Sequence, residues 1–343
     1  MAETIFETDN ALTRKAWTEK LLRSAKKNTF WNMYMAEGGD NIVHVKNELA
    51  KEQGDKVTFG LRAQLAGAGQ TGDDYLEGKE ESIVTYSDAV TLEQYRHGVR
   101  VKGRLSMKRA VFSIEEEQKV ALREWAESKV DNLCTDAIVA SPTRVCYPVG
   151  ASATFTVATG GSAGATAAAA INATQSAPTP KFFTQLKTYA KTGGNSRFER
   201  LKPLKIEGKE YLVALVPEDV LNDLFNNTEM MNAHKDARER GSSNPLFQSA
   251  DIVYNGVLIK GYEKMPTQAN GSSVNYGKCV LLGKQALVWA WGRKEEFVQE
   301  TFDYKNQIGY AWGIIAGVKK PQFNSEDFGS LGFYLSCTNI SNA

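Results

Sequence analysis

Two short motifs set chemistry-bearing residues at spacings that matter. Gly160-Gly161-Ser162-Ala163-Gly164 spells G-x-S-x-G, the pattern of a serine nucleophile on a sharp strand-to-helix turn. Phe155 and Val157 precede it, an alanine run follows, and Asp219 or Asp223 and then His234 come downstream in the chain order of such a triad. Against it, the segment is low in complexity, and Gly/Ser/Ala tracts produce this pattern by chance. The elbow also needs a buried central strand, usually a longer apolar run. Gly67-Ala68-Gly69-Gln70-Thr71-Gly72 spells G-x-G-x-x-G after a strand-like run. A dinucleotide site needs a helix to begin there, so that its amide groups and dipole meet the pyrophosphate. Asp73 and Asp74 follow at once and would repel that group, and no helical period follows. Glu115, Glu116 and Glu117 read as acids gathered at a helix N-terminus, where the dipole favours them. His234, in MMNAHKDARERG, reads as a solvated residue of a polar helix. The expected catalytic, cofactor and metal sites are therefore none.

Composition narrows the classes. The chain has 343 residues, 42% of them hydrophobic, which is ample for a core. A charged fraction of 24% with a net charge of +1 argues against disorder and against nucleic-acid binding as the main task. Near-neutral charge does little to hold copies apart. No apolar run approaches the ~20 residues of a membrane helix, so no membrane partner is expected. The acidic, polar start MAETIFETDN is unlike a secretory signal. Cys134, Cys146, Cys279 and Cys337 lie far apart without CxxC spacing, which fits a reducing cytoplasm and speaks against a zinc site.

The elements that would carry these residues are legible in part. Thr8 to Lys27 can form a basic amphipathic helix, with Arg14, Lys15, Lys20, Arg23, Lys26 and Lys27 outweighing Glu19; it is either a solvated face or an arm touching DNA or another acidic partner. Ser113 and Glu116 form a capping box, and Ala121, Leu122, Trp125, Ala126, Val130, Leu133, Ala137 and Ile138 recur at helical spacing. That predicts a helix of about 27 residues, over twice the usual ~11–12. From Val145 to Pro180 no residue is charged, and the stretch reads as a surface elaboration rather than core. Pro180 to Ala190 reads as a short helix, Tyr211 to Val216 as a strand with a helix opening at Pro217, and Ile252 to Tyr262 as strands turning at Asn255-Gly256. Apolar runs at Cys279 to Leu282, Ala286 to Trp291 and Phe333 to Cys337 add strands to an α+β region.

The remaining segment, Asp55 to Arg109, reads as one long arm. Val57, Phe59 and Leu61 alternate as in a half-buried strand, and Ile83, Val84, Val90, Leu92, Val99, Val101 and Leu105 resume a strand-like pattern after the glycine-rich stretch. Asp73, Asp74, Glu77, Glu80 and Glu81 make its tip acidic. Arg96, Arg100, Lys102 and Arg104 make its return limb basic. A two-stranded hairpin alone is marginal in water. An arm of this polarity is expected to lie on a neighbouring copy of the chain.

The order of arm, long hairpin, long helix and α+β region resembles the major capsid protein of tailed bacteriophages, with the Hong Kong 97-type fold. More narrowly it resembles the family named after coliphage N-four. The carrying segments are Val57 to Leu65 with GAGQTGDDYLEGKEE, PLKIEGKEYLVALVP from Pro203 to Pro217, Asn244 to Pro266, and Leu281 to Phe328. The resemblance implies an N-terminal arm over 1–54 and an extended hairpin loop over 55–109. It implies a peripheral domain with the spine helix over 110–210, including the elaboration at 145–180. An axial domain over 211–285 and a return to the peripheral domain over 286–343 would follow. It also implies a subunit that self-assembles, through hexamers and pentamers, into an icosahedral shell around a double-stranded DNA genome. The implied partners are further copies, portal and scaffolding proteins, packaged DNA bound non-specifically, and a decoration protein. The implied place is the virion, assembled in the bacterial host cytoplasm. The alternatives are another phage component, such as a tail or decoration protein, or a serine hydrolase using Ser162.

Overall fold

The computed structural model describes residues 29–338 except 48–53, 63–64, 66, 68, 74, 111–112, 151, 194–199, 207, 231 and 233–251. After a 3₁₀ turn at Phe30–Tyr34 come β1 (Met35–Ala36), β2 (Val43–Lys46), β3 (Lys56–Arg62), β4 (Thr85–Thr91) and β5 (Glu93–Arg100). Helices α1 (Arg104–Arg109) and α2 (Ile114–Val139) follow, then β6 (Arg144–Val149), β7 (Thr154–Thr159), α3 (Ala163–Ala170) and α4 (Pro180–Thr192). β8 (Leu204–Ile206), β9 (Lys209–Val216), α5 (Glu218–Phe225), β10 (Ile252–Tyr254), β11 (Val257–Gly261) and β12 (Thr267–Ala269) come next. The chain closes with β13 (Asn275–Leu282), β14 (Leu287–Phe302), β15 (Gln307–Lys319), β16 (Gln322–Phe323), β17 (Glu326–Asp327) and β18 (Ser330–Ser336). Two compact units emerge. The first holds Tyr95–Lys129 and Glu295–Ile314; the second holds the other described residues. α2, β14 and β15 each contribute to both.

The second unit is built on a sheet of order β10-β11-β9-β13-β18-β6-β7, with β12 on β13 and β8 on β9. Alternate residues of each strand face opposite sides. Leu212, Ala214, Val216, Leu281, Phe333 and Leu335 pack against Phe182, Phe183 and Leu186 of α4 and Val220, Leu221 and Leu224 of α5. α4 begins where Thr179 Oγ1 accepts from the Phe182 N–H at 3.3 Å, with Pro180 in its first turn. β10 and β11 turn at Asn255 (φ 46°) and Gly256 (φ 74°), the left-handed pair of a two-residue hairpin, as Asn-Gly predicts.

The charge-free stretch 145–180 departs from expectation. It is not a surface elaboration: β6 is buried almost throughout, between β18 and β7. Cys146 joins the α4–α5 face, while Val145 and Tyr147 join Ala158, Ala163, Ala167, Ile171, Tyr276 and Tyr334 on the other. Ala163 and Ala167 lie one helical turn apart and fully buried, which lets α3 approach the sheet closely. Buried Ser176 donates to Pro148 O at 2.8 Å. The segment lacks charges because a core tolerates few, not because it is unstructured.

Two polar networks brace this unit. Asp131 of α2 accepts from the Phe30 and Trp31 N–H groups at 3.2 and 3.3 Å, and the buried Trp31 indole donates to Thr135 Oγ1 at 3.1 Å. Burial raises the Asp131 pKa above the usual carboxylate range, against the lowering effect of those two N–H groups and of Lys264. Buried Lys320 and Asp327 pair at 2.8 Å. Asp327 also accepts from the Thr143 N–H and from Gln322 Nε2, and Lys320 also donates to Ala140 O beyond the end of α2.

Candidate functional site

The arm is anchored at its base. β3 and β4 pair antiparallel from Lys56 with Thr91 to Arg62 with Thr85. Val57 and Val90 are buried against Val288 and Ala290, Phe59 meets Phe323 edge-on at 6.0 Å, and Lys319 Nζ donates to Asp88 Oδ1. Asp88 Oδ2 accepts from the Gln322 N–H at 3.0 Å.

The expected single arm from Asp55 to Arg109 does not hold together, and this corrects the sequence reading. The hairpin ends at Thr91. β5 leaves it to become the edge neighbour of β15, and Lys102 and Arg104 lie beyond β5. The acidic tip and the basic limb thus belong to different units. The cause is non-local: Glu93 to Arg100 has the alternation of a strand, but nothing in that alternation names its partner.

The tip carries the predicted acids. Asp73, Glu77, Glu80 and Glu81 are exposed; Asp74 lies outside the described residues. Glu81 Oε2 accepts from the Gly67 N–H at 2.6 Å and Glu80 Oε2 from the Gly78 N–H at 2.8 Å, so both carboxylates are locally oriented. The same loop exposes apolar side chains: Tyr75 at 85% and Leu76 at 58%, which the sequence reading passed over, and Ile83 at 61% and Val84 at 47%, which it took as the start of the returning strand. A monomer rarely displays large apolar groups so close together unless something covers them. Tyr75 and Leu76 stand among charges and follow no helical or strand period, and Ile83 and Val84 fall short of the returning strand, which begins only at Thr85.

The basic residues fall around the first unit. Arg96 and Arg100 are exposed on β5, and Arg100 lies over the Phe302 ring at 5.4 Å. The Lys102 carbonyl accepts from Gln307 Nε2 at 3.0 Å, and the Arg104 N–H donates to Asn306 Oδ1 at 3.3 Å, tying both backbones to the turn between β14 and β15. That turn was missed in the sequence. Asp303, Tyr304 and Lys305 are all left-handed (φ 50°, 47° and 66°), and Tyr304 is fully exposed. Three successive non-glycine residues in this region store strain of about 1–3 kcal/mol each. The N-terminal residues Arg14, Lys15, Lys20, Arg23, Lys26 and Lys27 lie outside the described residues, as does His234.

Gly160 to Ser162 turns from β7 into α3, the strand-turn-helix order the hydrolase motif needs. But β7 is the edge strand of its sheet, not the buried central one, and Asp223 Oδ2 accepts from the Thr338 N–H at 2.7 Å. Gly67 to Gly72 opens no helix, and its described residues are exposed.

Comparison with known proteins bears on the whole chain. The model of a family described as phage capsid protein matches residues 6–332. The major capsid protein of Pseudomonas phage KPP25 is 26% identical over 363 aligned positions, covering 94% of this chain and 95% of that protein. Among solved structures, the capsid asymmetric unit of cyanophage Pam1 aligns with a TM-score of 0.83 at 22% identity over 99% of this chain and all of its own. The capsid of Ralstonia phage GP4 aligns with a TM-score of 0.77 at 22% identity over 99% of each chain.

Proposed function

The chain belongs to the phage capsid protein family, and from that premise we propose that it is the major subunit of an icosahedral shell enclosing a double-stranded DNA genome. Its α+β architecture is the Hong Kong 97-type capsid fold, and its place is the virion. The proposed activity is self-association into hexamers and pentamers, not catalysis. We infer assembly in the host cytoplasm with portal and scaffolding proteins, non-specific contact with packaged DNA, and attachment of a decoration protein. We infer the narrower N-four family placement from the segments in which the sequence resembles it. The same reading makes 1–54 the N-terminal arm, 211–285 much of the axial domain, and the segments flanking it peripheral.

One observation carries the reading: an anchored hairpin whose tip bears Tyr75, Leu76, Ile83 and Val84 exposed beside Asp73, Glu77, Glu80 and Glu81. Such a tip is costly in a free protomer and useful in an assembly. Shells need several heterologous contacts per subunit. An obligate subunit buries more than ~2,000 Å², tens of kcal/mol gross at ~25 cal/mol per Å² before ordering costs. Electron microscopy of the expressed chain tests this. Closed icosahedral shells are expected; tubes, tail-like rods or only small oligomers would overturn it.

A further inference from the structure

A cleft of about 720 Å³ lies in the second unit, between the end of α2, α3 and the β12–β13 hairpin. That is within the ~300–1,000 Å³ of small-molecule sites. The G-x-S-x-G turn forms part of its wall, through Gly161, Ser162 and Gly164. α3 begins there without a side-chain cap. The Ala163 N–H donates to Gly160 O and the Thr166 N–H to Ser162 O, each at 3.0 Å. The N–H groups of Gly164 and Ala165 have no acceptor among the described residues. They bring the positive end of the helix dipole to the cleft.

A second donor is aimed at the same spot. Tyr334 of β18 is only 4% exposed and lines the cleft, yet its hydroxyl has no hydrogen-bond partner among the described residues. A Cβ on Gly164 would come within 3.1 Å of Tyr334 Oη, so the hydroxyl stands at the first turn of α3, in room that glycine leaves. Burial, with Tyr276 and Cys279 nearby, holds its pKa above the ordinary tyrosine value, so it keeps its proton at neutral pH and can donate. A buried hydroxyl without a partner is costly, and binding an acceptor there removes that cost. Lys278 adds charge. It pairs with Tyr334 across β13 and β18, so both side chains leave the sheet on the face that α3 covers. It also lines the cleft and has no acidic partner among the described residues. The walls are held in place: Asn270 Nδ2 donates to Ala168 O and Ile171 O at 3.2 and 2.9 Å, fastening the β12–β13 turn to the far end of α3.

We propose that this cleft binds a small molecule bearing a phosphate group, with the phosphate seated by the Gly164 and Ala165 N–H groups, Tyr334 Oη and Lys278. The inference goes beyond the shell-forming reading and does not depend on it. Donors from a helix start, a phenol and an ammonium suit an anion with several oxygens, and a helix start favours phosphate in particular. A nucleic-acid strand fits less well. Lys264, also in the cleft, is held 3.9 Å from Asp131, and Asp136 lines the cleft as an acid, so the walls lack the run of cations that a phosphate backbone needs. The G-x-S-x-G motif then serves as an anion cradle rather than a nucleophile. Gly160 (φ 90°) makes the turn, and a Cβ on Gly161 would meet nothing within 4 Å, which leaves the approach open.

Titration of the unassembled full chain with inorganic phosphate and with adenosine monophosphate tests this. The readout is the rise in melting temperature over sodium chloride of equal ionic strength, with equilibrium dialysis of labelled phosphate as a second measure. Both ligands should give a saturable rise, the nucleotide at lower concentration because it fills more of the cleft. Tyr334→Phe removes only the hydroxyl, Lys278→Gln removes only the charge, and Gly164→Ala displaces Oη. Each should melt normally in chloride and weaken binding about tenfold or more. Phosphate also stabilises proteins by exclusion from their surface, but that effect does not saturate and would survive in all three variants. A rise of that kind, or no binding in dialysis, overturns the proposal. Saturable binding that Tyr334→Phe and Lys278→Gln both leave unchanged places the anion elsewhere and overturns it too. Tighter binding of a short single-stranded DNA than of the nucleotide would assign the cleft to nucleic acid and overturn the small-ligand reading.

Discussion

Replacing Tyr75, Leu76, Ile83 and Val84 together by serine should abolish shell formation while leaving the protomer folded. Their exposures amount to about two and a half whole side chains of apolar surface. At ~1.5–3 kcal/mol per buried side chain, covering them contributes about 4–7 kcal/mol gross for each loop seated. Exposed charge pairs contribute only ~0–1 kcal/mol each, so the apolar loss outweighs what the neighbouring acids could restore. Spread over every loop in a shell, even half of this loss pushes the assembly threshold up more than tenfold, since 1.4 kcal/mol is a factor of ten. In the protomer the same change costs little, because exposed sites away from special features shift stability by only about ±0.5 kcal/mol. The assay is light scattering against protein concentration, with particles counted by electron microscopy and the fold followed by circular dichroism on melting. Shells at the unsubstituted threshold would refute the reasoning, since the loop would then contribute nothing by burial.

Other outcomes follow from the core. Asp327→Ala strands the buried Lys320 ammonium and the Thr143 N–H, and should cost about 3–5 kcal/mol in urea unfolding, whereas Lys320→Met with Asp327→Leu should cost much less. Ala167→Leu overpacks the buried contact between α3 and its sheet and should destabilise by about 1–3 kcal/mol; a neutral result would return 145–180 to the surface. Asp131 binds its proton more tightly folded than unfolded, so its contribution is fully present below the usual carboxylate pKa and fades as pH rises through the raised value. Asp131→Asn does not titrate there, and its melting temperature relative to the unsubstituted chain should therefore improve from pH 4 to pH 7.

Local pattern carried much of the fold. The alternation at Val57, Phe59 and Leu61, the capping box at Ser113 and the Asn255-Gly256 turn each encode a conformation within a few residues. The structure has β3, α2 and the β10–β11 hairpin there, with Ser113 Oγ accepting from the Glu116 N–H at 3.5 Å. The acids of the loop were legible for the same reason, since charge can be read residue by residue.

What the sequence by itself determined was therefore the elements and their charges. Only the tertiary structure decided their partners. Glu93 to Arg100 has the same period whether it pairs with β4 or with β15, about 200 residues away, because alternation records that one face is buried and not by what. The uncharged, alanine-rich stretch after Val145 fits a linker and a close-packed core equally well, and the choice depends on whether another element comes near enough to exclude water. Tyr75, Leu76, Ile83 and Val84 could have been folded inward. That they stand outward follows from the base of their hairpin being held by Val288, Phe323 and Lys319, residues from distant parts of the chain.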